Sequence, residues 1–270
     1  MIRSFRWELT SGLIASLVLL PLLTLAWLSL QSNQALWSHL ASTVLGDYVL
    51  SSLALMLGVA ILSLLLGIGS AYLVTQYEFK GVRFFYWALL LPLSMPAYIT
   101  AYSYTGLLDV AGPVQSYLRD TFSLSYGDYW FPEIRSLGGA IFVLSFVLYP
   151  YVFLMARSSF MEQSQHLRDV AQLLGYSRTK AFFCISLPIA RPAIIAGLSL
   201  ALMETLADFG AVSYFGVSSF TTGIFRTWYG LDNVEGAAQL ALLLLSFVVV
   251  LLALETSCLL YTSPSPRDRG

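Results

Sequence analysis

Two acids stand where acids are expensive. Glu204 and Asp208 lie inside the apolar run Ala193–Phe215, and a carboxylate at the centre of a bilayer costs roughly 2.5–3.5 kcal/mol on insertion scales. Spaced at i and i+4, they are expected on one face of one helix. That face must look into a helix bundle or a wet cavity rather than at lipid. Two roles fit the pair: a hydrogen-bonded clamp between helices, or a lining for the path of a polar solute. Little else in the chain could do chemistry. His39 and His166 are the only histidines and Cys184 and Cys258 the only cysteines, so neither a metal-ligand spacing nor a disulfide framework exists. There is no His-Glu-x-x-His, no Gly-x-Ser-x-Gly and no Gly-x-x-x-x-Gly-Lys-Ser/Thr run. An enzyme is disfavoured, and any nucleotide has to be handled by another chain.

The elements that must position the acids are membrane spans. Of 270 residues, 57% are hydrophobic and 11% are charged, against about 25% charged in an ordinary soluble domain. So few ionised groups leave a surface that lipid has to cover. The net charge of -1 offers no basic footprint for nucleic acid. A hydrocarbon core of about 30 Å takes about 20 helical residues, and six apolar runs meet that length: Gly12–Leu30, Val49–Val74, Phe84–Leu108, Leu137–Ala156, Ala193–Phe215 and Ala237–Leu254. All are too long and continuous for barrel strands. The expected fold is therefore all-α, one integral membrane domain over residues 1–254 with about six transmembrane helices. The first run follows Arg3 and Arg6 as a signal peptide would, but it is too long for a signal core and no small-residue cleavage site follows it. It reads as a retained first span.

Basic residues set the orientation. With the N-terminus inside, the inner segments hold Arg3, Arg6, Lys80, Arg83, Arg157, Arg168, Arg178, Lys180, Arg191, Arg267 and Arg269, and the outer loops only Arg119, Arg135 and Arg226. The outer loops also carry Asp47, Asp109, Asp120, Asp128, Glu133, Asp232 and Glu235. Both termini are expected on the cytoplasmic side, with the chain crossing a membrane several times. Three spans contain proline: Pro21, Pro92 with Pro96, and Pro150. Each removes a backbone donor and bends its helix. The Pro92–Pro96 pair is the best candidate for a bend that shapes a translocation path. Tyr98, Tyr102 and Tyr104 follow it as a polar aromatic rim or an ordinary interfacial belt.

Between Arg157 and Pro192 the chain is too polar to span and too patterned for a slack linker. Leu167, Val170, Ala171 and Leu174 recur at i, i+3, i+4 and i+7, one apolar helical stripe. Gly175 stands where a left-handed C-terminal cap would end that helix. Ser177 can cap a second short helix, Phe182, Phe183 and Ile185 supply apolar contacts, and Leu187-Pro188 is expected to stop it. The reading is a helix–turn–helix along the inner membrane surface, between spans four and five.

Asp169-Val170-Ala171, then Gly175, nine residues, Ile185, one residue and Leu187-Pro188 together resemble the permease loop of ABC importers, which has Glu-Ala-Ala, three residues, Gly, nine residues, Ile, one residue, Leu-Pro. Asp169 and Val170 depart mildly from that pattern. The resemblance implies the MetI-like permease fold, with the segment around Asp169, Ala171, Gly175, Ile185, Leu187 and Pro188 as the coupling helix that docks on a dimeric cytoplasmic ATP-binding subunit. ATP and Mg would then belong to that partner, with no cofactor on this chain. Glu204-Thr-Leu-Ala-Asp208-Phe-Gly210, Val217–Gly230 and Pro92–Tyr104 are similar to the permeases of bacterial ferric iron importers. This implies that Fe(III) arrives on a periplasmic iron-binding protein and passes between two permease halves, with Glu204 and Asp208 along its path. A hard cation prefers oxygen ligands, but a tight site would trap it, so neither acid is assigned as a metal ligand. Thiamine is an alternative cargo, and a secondary transporter or channel an alternative mechanism.

Ferric permeases of this type usually carry two six-helix halves in one chain, whereas this sequence matches one half, with no internal repeat. A second half or a second copy of this chain is the expected partner. The turn-rich stretch Glu255–Gly270 does not resemble a linker to a second half and is expected to lie outside the fold.

Overall fold

The computed structural model describes residues 2–31, 34–163, 173 and 175–260. Among them it is wholly helical: α1 Ile2–Leu30, α2 Gln34–Thr43, α3 Leu45–Gln76, α4 Val82–Ala88, α5 Ala97–Leu108, α6 Pro113–Phe122, α7 Leu137–Glu162, α8 Arg178–Ala181, α9 Leu187–Ala207, α10 Gly210–Tyr214, α11 Phe220–Phe225 and α12 Val234–Leu260. A 3-10 turn at Leu91–Ser94 follows α4, and π turns at Phe182–Ser186 and Arg226–Gly230 follow α8 and α11. Five helical stretches among the described residues are long and apolar enough to cross a membrane: Trp7–Leu30, Leu45–Gln76, Leu137–Glu162, Arg178–Ala207 and Val234–Cys258. Each lies over one of the predicted runs.

The remaining run, Phe84–Leu108, is not one straight span. Val82–Ser94 and Ala97–Phe122 meet at 101°. Pro92 lies within the 3-10 turn and Pro96 is the N-cap of α5. Two missing donors in five residues break the ladder outright instead of kinking it. Pro21 and Pro150, each alone, remain inside α1 and α7. The last span also extends beyond its predicted end, since α12 continues through Glu255 to Leu260.

The chain forms two compact units, residues 1–50 with 218–247 and residues 51–217 with 248–270. The first centres on Tyr48, Phe220 and Leu240, all buried. Its fit depends on Gly223, where a β-carbon would lie 2.5 Å from the Tyr48 ring. Gln239 Nε2 donates to the Ser29 carbonyl at 3.0 Å.

The second unit is built around α7, whose span is 67% buried against 22% for that of α3. Val143, Leu144, Val152, Phe153 and Ala156 of α7 are fully enclosed. Glycines let neighbouring helices approach it. A β-carbon on Gly58 or Gly67 of α3 would come within 2.7 Å of Ile141 or Val152, and one on Gly197 of α9 would meet the Tyr151 carbonyl oxygen at 2.7 Å. Lipid gives helices no hydrophobic reason to associate, so close approach across small residues supplies the attraction instead.

Candidate functional site

Two regions of the second unit lie at opposite ends of α7, a helix about 39 Å long at 1.5 Å per residue. The first follows its C-terminus. Gly175 is exposed with φ +78°, and a β-carbon there would meet nothing within 4 Å. Glycine is needed for the left-handed backbone, not for room. Ser177 Oγ accepts the Lys180 N–H at 3.3 Å and so caps α8, as its position predicts. Lys180 Nζ lies 4.4 Å from the centre of the Tyr176 ring.

The expected stop at Leu187-Pro188 is not there. Arg178–Ala207 is one helical stretch, with Pro188 exposed in the first turn of α9. A proline inside a continuous helix leaves a carbonyl of the preceding turn without its donor, and here that preceding turn is the π turn Phe182–Ser186, a local departure from the regular ladder. The second arm of the loop therefore runs straight into the fifth span. Ile185 is half-buried in the π turn, and Leu187 packs against the cluster formed by Ala71, Tyr149, Val152, Phe153, Ala156, Phe160, Ala190 and Ile194. Asp169 and Ala171, with the stripe Leu167, Val170 and Leu174, lie outside the described residues.

Three residues missing from the sequence reading close the base of this loop. The Phe182 ring sits 4.3 Å from Tyr72 of α3 and 6.2 Å from Phe160 of α7. Tyr72 and Phe160 are themselves 6.0 Å apart, edge to face. Gln163, the residue after α7, donates from Nε2 to the Ser186 carbonyl at 2.9 Å. The Phe182-Phe183 pair was the one visible signal. Its partners are far away in sequence. Nearby, the Arg157 guanidinium lies over the Tyr86 ring at 4.1 Å.

The acid pair is arranged differently from expectation. α9 ends at Ala207, and Asp208 leaves it with extended backbone at φ −70°, ψ 124°. Its Oδ1 accepts the Val212 N–H at 3.0 Å, supporting the five-residue α10. The predicted single span Ala193–Phe215 is thus two helices, and Glu204 and Asp208 do not share a helical face. A short acid gains more from unpaired N–H groups at a helix start than from a helix interior. Glu204 stays on the last turn of α9, exposed, and Asp208 is half-buried.

Beyond α10 lies the second region, before the N-terminus of α7. The Tyr214 ring takes edge contacts from Tyr98 at 5.7 Å and a tilted contact from Tyr102 at 6.1 Å. Arg135 covers it at 5.3 Å and reaches Asp109 at 3.8 Å. Tyr104 turns away to Phe142. Asp109, Gln115, Trp130, Glu133 and Arg135 line a cleft of about 440 Å³. Its wall is held by Arg119 Nη1, which donates to the Tyr129 hydroxyl at 2.9 Å, and by that hydroxyl, which donates to Gln115 Oε1 at 2.8 Å.

Residues 63–257 match the family of binding-protein-dependent transport system inner membrane components. The chain belongs to that family. It is an integral, multi-pass permease of an ABC importer. The permease is 30% identical over 208 residues to the molybdenum transport system permease protein ModB of Haemophilus influenzae, covering 75% of this chain and 88% of that protein. It is 26% identical to the Fe(3+)-transport system permease protein FbpB 2 of the same organism, over 77% of this chain but 36% of that protein. The sulfate transport system permease protein CysT of Salmonella typhimurium is 27% identical over 76% of this chain and 72% of its own length. A chain of a bacterial alginate ABC transporter crystal structure, with alginate pentasaccharide-bound periplasmic protein, superposes with TM-score 0.72 at 17% identity, covering 94% of this permease and 93% of that chain. The MetNI methionine ABC transporter gives TM-score 0.62 at 14% identity, over 86% and 100%. These two likenesses establish the MetI-like fold.

Proposed function

We propose that this permease moves a small inorganic ion, handed over by a periplasmic binding protein, across the inner membrane, and that a separate cytoplasmic ATPase dimer drives it through the Gly175–Pro188 loop. The observation that carries this reading is the continuity of that loop with the fifth span. A cap at Ser177, a π turn and α9 follow one another without a break, so a push on the loop is a push on the helix bearing Glu204. The chain itself is a non-catalytic subunit, and ATP and Mg are bound by the partner. Both termini are on the cytoplasmic side, as the bias of Lys and Arg requires. A second permease half or a second copy completes the path.

Fe(III) is the cargo supported by the exposed carboxylate of Glu204, because a hard cation is drawn to oxygen anions, and by the likeness to FbpB 2. A tetrahedral oxyanion is the second reading. It is favoured by the relatives named for molybdenum and sulfate, which this chain covers over far more of their length. The test is ATPase stimulation in proteoliposomes containing the permease and its ATPase. Binding proteins loaded with Fe(III), molybdate, sulfate or thiamine are supplied in turn. Stimulation by the iron form alone supports the first reading and stimulation by an oxyanion form the second. Uptake driven by a proton gradient with no ATPase present rejects both.

A further inference from the structure

The base of the coupling loop carries a clamp that the family pattern does not describe. The loop leaves α7 at Gln163 and meets the start of α9 after Ser186, and these two residues are joined by the Gln163 amide donating to the Ser186 carbonyl at 2.9 Å. Three residues before Gln163 and four before Ser186, Phe160 of α7 and Phe182 of the loop face each other at 6.2 Å, with Tyr72 of α3 closing the triangle at 6.0 and 4.3 Å. Phe160 is fully buried, 1% exposed. Ser186 is buried as well. The clamp thus ties the two ends of a 22-residue excursion, residues 164–185, to each other and to a third helix.

This arrangement has a mechanical consequence. A loop anchored only by its chain ends can absorb a displacement by flexing at its base. A loop whose base is bonded and wedged has to pass the displacement on. The π turn Phe182–Ser186 is the place where flexing is easiest, because a π turn is a local departure from the regular helix ladder. Both the ring of Phe182 and the carbonyl of Ser186, its first and last residues, are held. We propose that Gln163 and Phe182 are positioning residues that lock this turn, so that movement imposed on the loop reaches α7 and α9 together. The inference rests on the reading of the loop as the ATPase contact and goes beyond it by assigning transmission, as distinct from docking, to residues outside the recognised pattern.

Gln163→Glu and Phe182→Leu separate the two. Glutamate keeps the shape of glutamine but offers the Ser186 carbonyl no donor at neutral pH. Leucine keeps apolar bulk at position 182 but loses the ring contacts. Each variant is purified as the complete complex with its ATPase and reconstituted. Three quantities are then read: ATPase subunit retained per permease, ATP hydrolysed in the presence of loaded binding protein, and cargo moved per ATP. The expected result is full retention of the ATPase, with cargo moved per ATP falling roughly fivefold in Gln163→Glu, the population shift that one ordinary hydrogen bond produces. Gln163→Asn is too short to reach Ser186 and should behave like Gln163→Glu. Retention with unchanged cargo per ATP in both Gln163→Glu and Phe182→Leu overturns the inference. Loss of the ATPase subunit from the variants also overturns it, because the clamp would then shape the docking surface. Failure of the unmodified permease to retain an ATPase subunit rejects the reading of the loop itself.

Discussion

Arg135 lies over the Tyr214 ring, so the segment leading into α7 touches the last residue of the short helix that Asp208 supports. A contact made outside the bundle is in this way connected, through five residues, to the break that ends the fifth span. Asp208, one residue before the N-cap Phe209, supports the start of that short helix by accepting the Val212 N–H at 3.0 Å.

If that is its role, hydrogen-bond acceptance matters at position 208 and charge does not. Asp208→Asn keeps an acceptor for the Val212 N–H, whereas Asp208→Ala leaves it open. Loss of a side-chain acceptor for a helix-start N–H typically costs about 1 kcal/mol. The alanine variant is expected to lower the thermal unfolding midpoint of the purified permease by a few degrees and to reduce transport, and the asparagine variant to do neither. Equal damage from both would return Asp208 to the path as a required charge.

Packing around α7 gives a sharper test. A β-carbon on Gly197 would sit 2.7 Å from the Tyr151 carbonyl oxygen and 3.0 Å from the Val152 α-carbon, both backbone or backbone-fixed atoms that cannot swing aside. One on Gly69 would meet nothing within 4 Å. Gly197→Ala should therefore force α9 away from α7, at a cost of about 1–3 kcal/mol for overpacking. Gly69→Ala should be neutral or slightly stabilising, since alanine is the better helix former. Monodispersity after detergent extraction, followed by denaturant titration, distinguishes them. Equal behaviour of the two variants would show that the α7–α9 contact is looser than these distances.

The two glycines look alike in sequence, each inside an apolar run, and only the fold separates them. The spans themselves were legible because about 20 apolar residues with few charges have one solution in lipid. The Ser177 cap and the left-handed Gly175 were legible because both are local. What sequence could not show was pairing at a distance. Gln163 to Ser186 and Tyr72 to Phe182 join residues 23 and 110 positions apart. The acid pair misled for a related reason: i, i+4 spacing puts two residues on one face only while the helix lasts, and Asp208 helps to end it.

Gly175 tests the proposal that this loop docks on the ATPase. Its φ of +78° is strained for any residue with a β-carbon, and asparagine bears it best. Gly175→Val should shift the turn and reduce ATPase subunit recovered with the permease, by about fivefold for a penalty of about 1 kcal/mol. Gly175→Asn should recover most of it. Affinity purification through a tag on the permease, with the ATPase quantified against it, reads the ratio. Full recovery with valine would mean that this turn does not set the docking geometry.

Glu204 decides between the cargo readings. It is exposed on the last turn of α9, one turn before the chain breaks at Asp208. A unit charge about 8 Å from a passing ion at an effective dielectric near 20 contributes about 2 kcal/mol per charge of the ion, attractive for a cation and repulsive for an oxyanion. Glu204→Gln keeps the shape and removes the charge. If Fe(III) is the cargo, uptake should fall at least about tenfold, with assembly and basal ATP hydrolysis unchanged. If an oxyanion is the cargo, the same substitution should leave uptake equal or raise it. Uptake of radioactive iron and of molybdate into proteoliposomes, each with its own loaded binding protein, measures both arms. Iron uptake by Glu204→Gln at the unmodified rate would remove the carboxylate from the argument for a cation, leaving the oxyanion reading, which the relatives named for molybdenum and sulfate support over 88% and 72% of their length.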